Sequence, residues 1–167
     1  GLGDSNKRSL RLRERKPLKF GGCKLALLHA DRLLVYRRDR KAGIPWPGML
    51  DLPGGAREGG ESPEQCVLRE LREEFGLRLP VGRLEFRRSY PVPASDLPAW
   101  FFAGTLHAQE IDAIVFGSEG LYWEMMRSDE FVAHPEGIPH LRALVRDFLQ
   151  TLADRRPSLE PHCFPGP

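Results

Sequence analysis

The stretch GGAREGGESPEQCVLRELREEFGL, residues 54–77, places five glutamates between Glu61 and Glu74, and three of these, Glu70, Glu73 and Glu74, fall within five positions. Ser62 with Gln65 forms a capping box, Pro63 suits a first helical position, and Gly76 can close a helix in the left-handed conformation. This punctuation predicts one helix over 63–75. At about 100° per residue, Val67, Leu68, Leu71 and Phe75 share a face that should pack on a sheet, and Glu70, Glu73 and Glu74 share another. Like charges at these spacings each cost a few tenths of a kcal/mol. Arg69, four residues before Glu73, relieves part of that cost. A hard divalent cation, which prefers carboxylate and carbonyl oxygens, would relieve the rest. The crowding reads as a metal platform.

Outward from the helix, LKFGGCKLALLHA (18–30) and RLLVYRRD (32–39) read as two strands joined by a tight turn at Ala30-Asp31. KAGIPWPGMLDLPGG (41–55) is broken by Pro45, Pro47, Pro53 and its glycines and reads mostly as loop. GRLEFRRSYPV (82–92) and AWFFAGTLHA (99–108) form a second strand pair, and GLYWEMM (120–126) is a further strand. In IPHLRALVRDFLQTLAD (138–154), Leu141, Leu144, Val145, Phe148, Leu149 and Leu152 recur at helical spacing and predict an amphipathic closing helix. Strands and helices without regular alternation indicate an α+β fold, not a doubly wound sheet.

A chain of 167 residues suits one domain with a substantial core. A net charge of +2 gives no global bias toward nucleic acid or membrane. Three cysteines without a CxxC pair argue against a disulfide framework or zinc site and suit a reducing, cytoplasmic setting. No run approaches the roughly eighteen apolar residues of a membrane span, and no signal peptide is read at the start. Residues 1–16 read as a flexible basic arm, 17–154 as the folded domain and 155–167 as a flexible proline-rich tail.

The spacing from Gly55 to Glu61 to RELREEFGL (69–77) resembles the Nudix box, Gly-x5-Glu-x7-Arg-Glu-apolar-x-Glu-Glu-x-Gly-apolar, at every fixed position. DLPGG (51–55) is similar to the strand end and turn that precede the box in MutT-like members. The resemblance implies a Nudix-type α/β/α sandwich with a mixed central sheet. It implies hydrolysis of a nucleoside diphosphate linked to another group, with Mg²⁺, or Mn²⁺ in its place, neutralising phosphate charge. It assigns metal binding to Glu70, Glu73 and Glu74, with a carbonyl of Gly54 or Gly55 added. Glu61 and Arg69 become the pair that orients the cluster. Glu70 or Glu74 is the general base.

Some members place another glutamate on a later loop. Here Glu119, between Gly117 and Gly120, is preferred over Glu124. For substrate, Arg37 and Arg38 are phosphate candidates, although strand alternation allows only one to point inward. Trp46, on a loop, is the candidate for stacking on a base.

The compact length resembles a MutT-type pyrophosphohydrolase of a (d)NTP or modified (d)NTP. Pro93, sixteen residues past Leu77, gives an ADP-ribose or ADP-sugar pyrophosphatase as the alternative. Asn6 is the one asparagine, so no late base-reading asparagine is available. The basic run 7–19 leaves room for an RNA 5′-end pyrophosphohydrolase. Complete box glutamates speak against a non-catalytic sensing module, and Cys66 reads as a small buried residue rather than an isomerase cysteine. The expected partner is a small-molecule nucleotide, with no membrane or stable nucleic-acid partner and with room for a homodimer.

Overall fold

The computed structural model describes residues 19–155. The arm expected over 1–16 and the tail expected over 155–167 lie outside it, save Arg155, the last residue of the final helix. The chain order is β1 (Gly22–His29), β2 (Arg32–Arg37), β3 (Leu50–Asp51), β4 (Gly54–Ala56), α1 (Pro63–Phe75), β5 (Phe86–Tyr90) and β6 (Ala99–Thr105). It continues with α2 (Ala108–Asp112), β7 (Tyr122–Arg127), α3 (Ser128–Ala133) and α4 (Pro139–Arg155).

The strands form one mixed sheet. Its main path runs β3-β2-β1-β6-β5, with β4 paired to β1 and β7 to β2. β1 and β6 run parallel, from Gly22 opposite Ala99 to Leu28 opposite Thr105, while the remaining pairs are antiparallel. Central β1 is covered on both faces. Leu25 and Leu27 pack with Val67, Leu71 and Phe75 of α1, whereas Ala26 packs with Leu141, Val145 and Phe148 of α4. A helix on each side of a mixed sheet is the α/β/α sandwich. No helix among the described residues is long and apolar enough to cross a membrane.

The β1–β2 hairpin turns at Ala30, whose φ is 52°, with Leu28 opposite Leu33. The segment 41–55 is mostly loop, as expected, and carries β3 and the start of β4, both too short to show a period-two pattern. Three expectations need correcting. The second strand pair begins later than 82, because Val81–Arg83 form a single 3-10 turn before β5. Its other member ends at Thr105, and residues 108–112 belong to α2. The short helix α3 has no counterpart among the sequence-based elements.

Candidate active site

Ser62 has extended backbone angles, and its hydroxyl accepts the Gln65 backbone N–H at 3.1 Å while the Gln65 side-chain Oε1 accepts the Ser62 backbone N–H at 2.9 Å. Gly76 closes α1 with φ 65°, its N–H donating to the Arg72 carbonyl. Cys66, Val67, Leu71 and Phe75 are fully buried against the sheet. This packing fixes the rotation of α1 and hence the direction of its acids.

Arg69 is the hub of those acids. Its Nε and Nη2 donate to both oxygens of Glu61, at 2.7 and 3.0 Å, and its Nη1 reaches Glu70 and Glu73, each at 3.0 Å. Nη2 also donates to the Ala56 carbonyl on β4. The guanidinium holds the Glu61 carboxyl below its ordinary value. One arginine thus ties the loop before α1, the strand β4 and two box glutamates together. The pairing of Glu61 with Arg69 is therefore present, with an anchor to β4 that sequence reasoning did not include.

Glu74 does not lie on a solvent face. It is 7% exposed, and its Oε1 accepts the Gly54 N–H at 2.8 Å. Burial pushes its pKa up to about 8, with the Gly54 N–H and Lys24 opposing the rise. Burial also raises Glu70, against Arg69 and with Glu73 and Glu119 adding to the rise. The turn beside them admits only glycine. Gly54 has φ 141°, and a Cβ on Gly55 would fall 2.6 Å from the Glu70 carboxyl.

Glu119 joins this group from across the chain. The Val115 and Gly117 N–H groups donate to the Phe75 and Glu74 carbonyls at the end of α1, which lays the 115–120 loop against the helix. Glu70, Glu73, Glu74 and Glu119 line one hollow of about 130 Å³. Glu119 is exposed and makes no hydrogen bond or ion pair among the described residues. Glu124, the alternative, sits within β7 opposite Val35.

Among the described residues, no group of three or more acidic, histidine or cysteine side chains is placed so that it could hold a metal ion as it stands. The side-chain bonds above account for this: Arg69 holds Glu70 and Glu73, and Gly54 holds Glu74. The donor set is nonetheless of the right chemistry, all oxygen and multiply acidic around one opening. It suits a cation that completes its shell with water and phosphate oxygens. The Gly55 carbonyl has the Cys23 and Cys66 thiols at 3.7 and 3.9 Å.

Arg37, the last residue of β2, and Arg38, just beyond it, part company, as alternation along an extended chain requires. Arg37 donates to Tyr122, to the Gly48 carbonyl and to Glu136, and does not line the acidic hollow. Arg38 lines a groove of about 250 Å³ together with Lys41 and Glu119. That groove shares Glu119 with the acidic hollow. It shares Arg38 with a larger cavity of about 380 Å³ that includes Trp46, Tyr90 and His140. The His140 ring lies 6.0 Å from Trp46 and 6.1 Å from Tyr90, and its Nδ1 is buried without a partner among the described residues. Burial pushes the His140 pKa below its ordinary value, which favours the neutral ring.

The floor of this cavity is a charge network that sequence reasoning missed. Asp51, 1% exposed, accepts Lys24 at 2.8 and 2.9 Å, Arg38 at 2.9 Å, Tyr36 at 3.0 Å and the Leu52 N–H at 2.7 Å. Burial alone would raise its carboxyl, but Lys24 and Arg38 outweigh it and hold the group below its ordinary value. A lysine inside the apolar run CKLALL was the visible signal. His140, next to the proline that begins α4, gave none.

The family model described as the NUDIX domain matches residues 25–148. An 8-oxo-dGTP diphosphatase of Escherichia coli (strain K12) is 38% identical over 68 residues, 41% of this chain and 53% of that enzyme. The chain thus spans about half of that relative's length. A CTP pyrophosphohydrolase of the same organism is 37% identical over 113 residues, 62% of this chain and 82% of that enzyme. Among solved structures, a MutT protein from Methanosarcina mazei Go1 superposes with a TM-score of 0.65 at 19% identity, over 85% of this chain and 99% of that one. That likeness concerns the fold.

Proposed function

The chain belongs to the Nudix family, and on that premise we propose that it is a pyrophosphohydrolase of a (d)NTP or a modified (d)NTP. The observation that carries this reading is the continuity of three chemically distinct hollows. The aromatic cavity of Trp46, Tyr90 and His140 receives the base, the Arg38 and Lys41 groove receives phosphate, and the glutamate hollow receives the reacting end.

Glu70, Glu73 and Glu74 would hold the divalent cation, Mg²⁺ or Mn²⁺, with a Gly55 carbonyl ligand as a further proposal. When bound, the cation supplies charge neutralisation on the phosphate oxygens. Arg69 keeps Glu70 and Glu73 aimed into the hollow, and Glu61 keeps Arg69 in place. Glu119 carries the general-base role in place of Glu70 or Glu74: it makes no hydrogen bond or ion pair among the described residues, whereas each of the other three has one oxygen bonded and is assigned to the cation. Trp46 stacks on the base and the neutral His140 reads its edge.

The relatives named for 8-oxo-dGTP and CTP support a nucleoside triphosphate over an ADP-sugar. The test is hydrolysis of (d)NTPs, oxidised dNTPs, ADP-ribose and NAD-capped RNA, with Mg²⁺ or with chelator, the products separated by chromatography. Nucleoside monophosphate plus pyrophosphate from one triphosphate is the expected result. AMP plus ribose 5-phosphate as the dominant products would replace this reading with the ADP-sugar one.

A further inference from the structure

Cys23 and Cys66 come from different elements, β1 and α1, yet their sulfurs lie 3.2 Å apart. Both are free thiols and both are buried, at 2% and 0% exposure. Cys23 sits opposite Gly55 in the β1–β4 pairing, and both sulfurs stand near the Gly55 carbonyl. Cys66 lies one turn before Glu70 on α1. Buried though it is, Cys23 lines the large cavity that opens on Trp46 and His140, so a small reagent in that cavity meets one sulfur of the pair. The hydrolytic reading gives neither thiol a catalytic or cation-holding role, although Cys23 lines the cavity assigned to the base.

We infer that Cys23 and Cys66 are an oxidative modification site, closing an intramolecular disulfide on reaction with a small-molecule disulfide admitted through the cavity. Cys23 gives up its proton and attacks R–S–S–R, forming Cys23–S–S–R and releasing R–SH. Cys66 then attacks the Cys23 sulfur, gives up its proton to the second departing R–S group and leaves one S–S bond. Two S–H bonds break and two molecules of R–SH form. The protein dithiol is oxidised and the reagent reduced.

Closure draws the sulfurs from 3.2 Å to about 2 Å. The first turns of α1 must then shift toward β1 and β4. Cys66 and Glu70 are one turn apart on that helix, so the same shift moves Glu70. The consequence for turnover rests on the hydrolase reading, whereas the crosslink does not.

The experiment uses the full chain carrying Cys163→Ser, treated with 2-hydroxyethyl disulfide and followed by intact mass, thiol titration and nucleotide turnover. The expected product has lost two hydrogen atoms in mass and both remaining thiols. Its turnover is lower by about 100-fold, the order expected for ångström-scale misplacement, and dithiothreitol restores it. Adding Cys23→Ala should make turnover insensitive to the reagent. Thiols that survive treatment in the folded protein but react after unfolding would overturn the inference, as would a persistent mixed disulfide. A bridged protein turning over at the untreated rate would overturn the effect on catalysis. Mass and thiol content decide the crosslink even where no substrate has been found, so failure of the hydrolase reading is separately visible.

Discussion

Asp51 and Glu74 are both buried acids near the Gly54–Gly55 turn, and their surroundings treat them in opposite ways. Asp51 is met by Lys24, Arg38, Tyr36 and a backbone N–H, so its charged form is favoured despite burial. Glu74 receives one backbone N–H, has Glu70 for a neighbour and is pushed up to about 8. The first arrangement is complete as it stands. The second is a buried carboxyl whose charged form has one backbone N–H and no bonded cation to favour it. Compensation of a buried charge marks a framework group, and its lack marks a group awaiting a ligand.

The largest expected effect belongs to the compensated acid. Asp51→Asn leaves Lys24 and Arg38 facing each other without their counter-ion, and should lower unfolding free energy by about 3–5 kcal/mol in urea titration. A stability unchanged within error would remove Asp51 from the framework. By contrast, Glu74→Gln relieves a buried charge. Its melting temperature should hold or rise, while turnover with Mg²⁺ falls on the order of 100-fold or more. Measuring both quantities on both variants breaks the comparison if the two acids behave alike.

Proton linkage sharpens it. The folded-state value of Asp51 is depressed below 3.8, so its stabilisation is fully present above that value and is lost as pH falls through the lower folded one. The Glu74 value is raised, so the cost of charging it appears as pH rises from the ordinary 4.5 toward about 8. Acid unfolding followed by circular dichroism should show the Asp51 contribution as a difference between wild type and Asp51→Asn that narrows at low pH. A difference constant across that range would contradict the assignment.

Smaller effects lie at the edges of the two regions. Trp46→Ala should raise KM by roughly tenfold through lost stacking, with kcat little changed. Ser62→Ala removes the cap of α1 and should cost about 1 kcal/mol, read from thermal unfolding. A kcat loss in Trp46→Ala larger than its KM change would place the indole at the reacting centre instead of at the base.

How much of this was legible depended on how local the cause was. The α1 boundaries follow from Ser62, Pro63, Gln65 and Gly76, all within the helix's own ends, and the structure has each in the expected place. The burial of Glu74 was not legible, because it depends on a turn twenty residues earlier folding over the helix. Glu119 was readable through its flanking glycines, but the two backbone bonds that set its loop against α1 were not. Arg37 and Arg38 were equivalent in sequence, and only pleating separates them. β3 and β4 owe their existence to partner strands and carry no period of their own. His140 and the Lys24–Asp51–Arg38 network are tertiary facts throughout.

The most direct test of the central claim, that the uncompensated acids await a divalent cation, is Mg²⁺ titration by calorimetry of wild type and Glu74→Gln, each paired with triphosphate hydrolysis. Cation binding and turnover together in wild type, and loss of both in the variant with its fold intact, is the predicted result. Equal turnover by the variant, or by wild type in chelator, would contradict it.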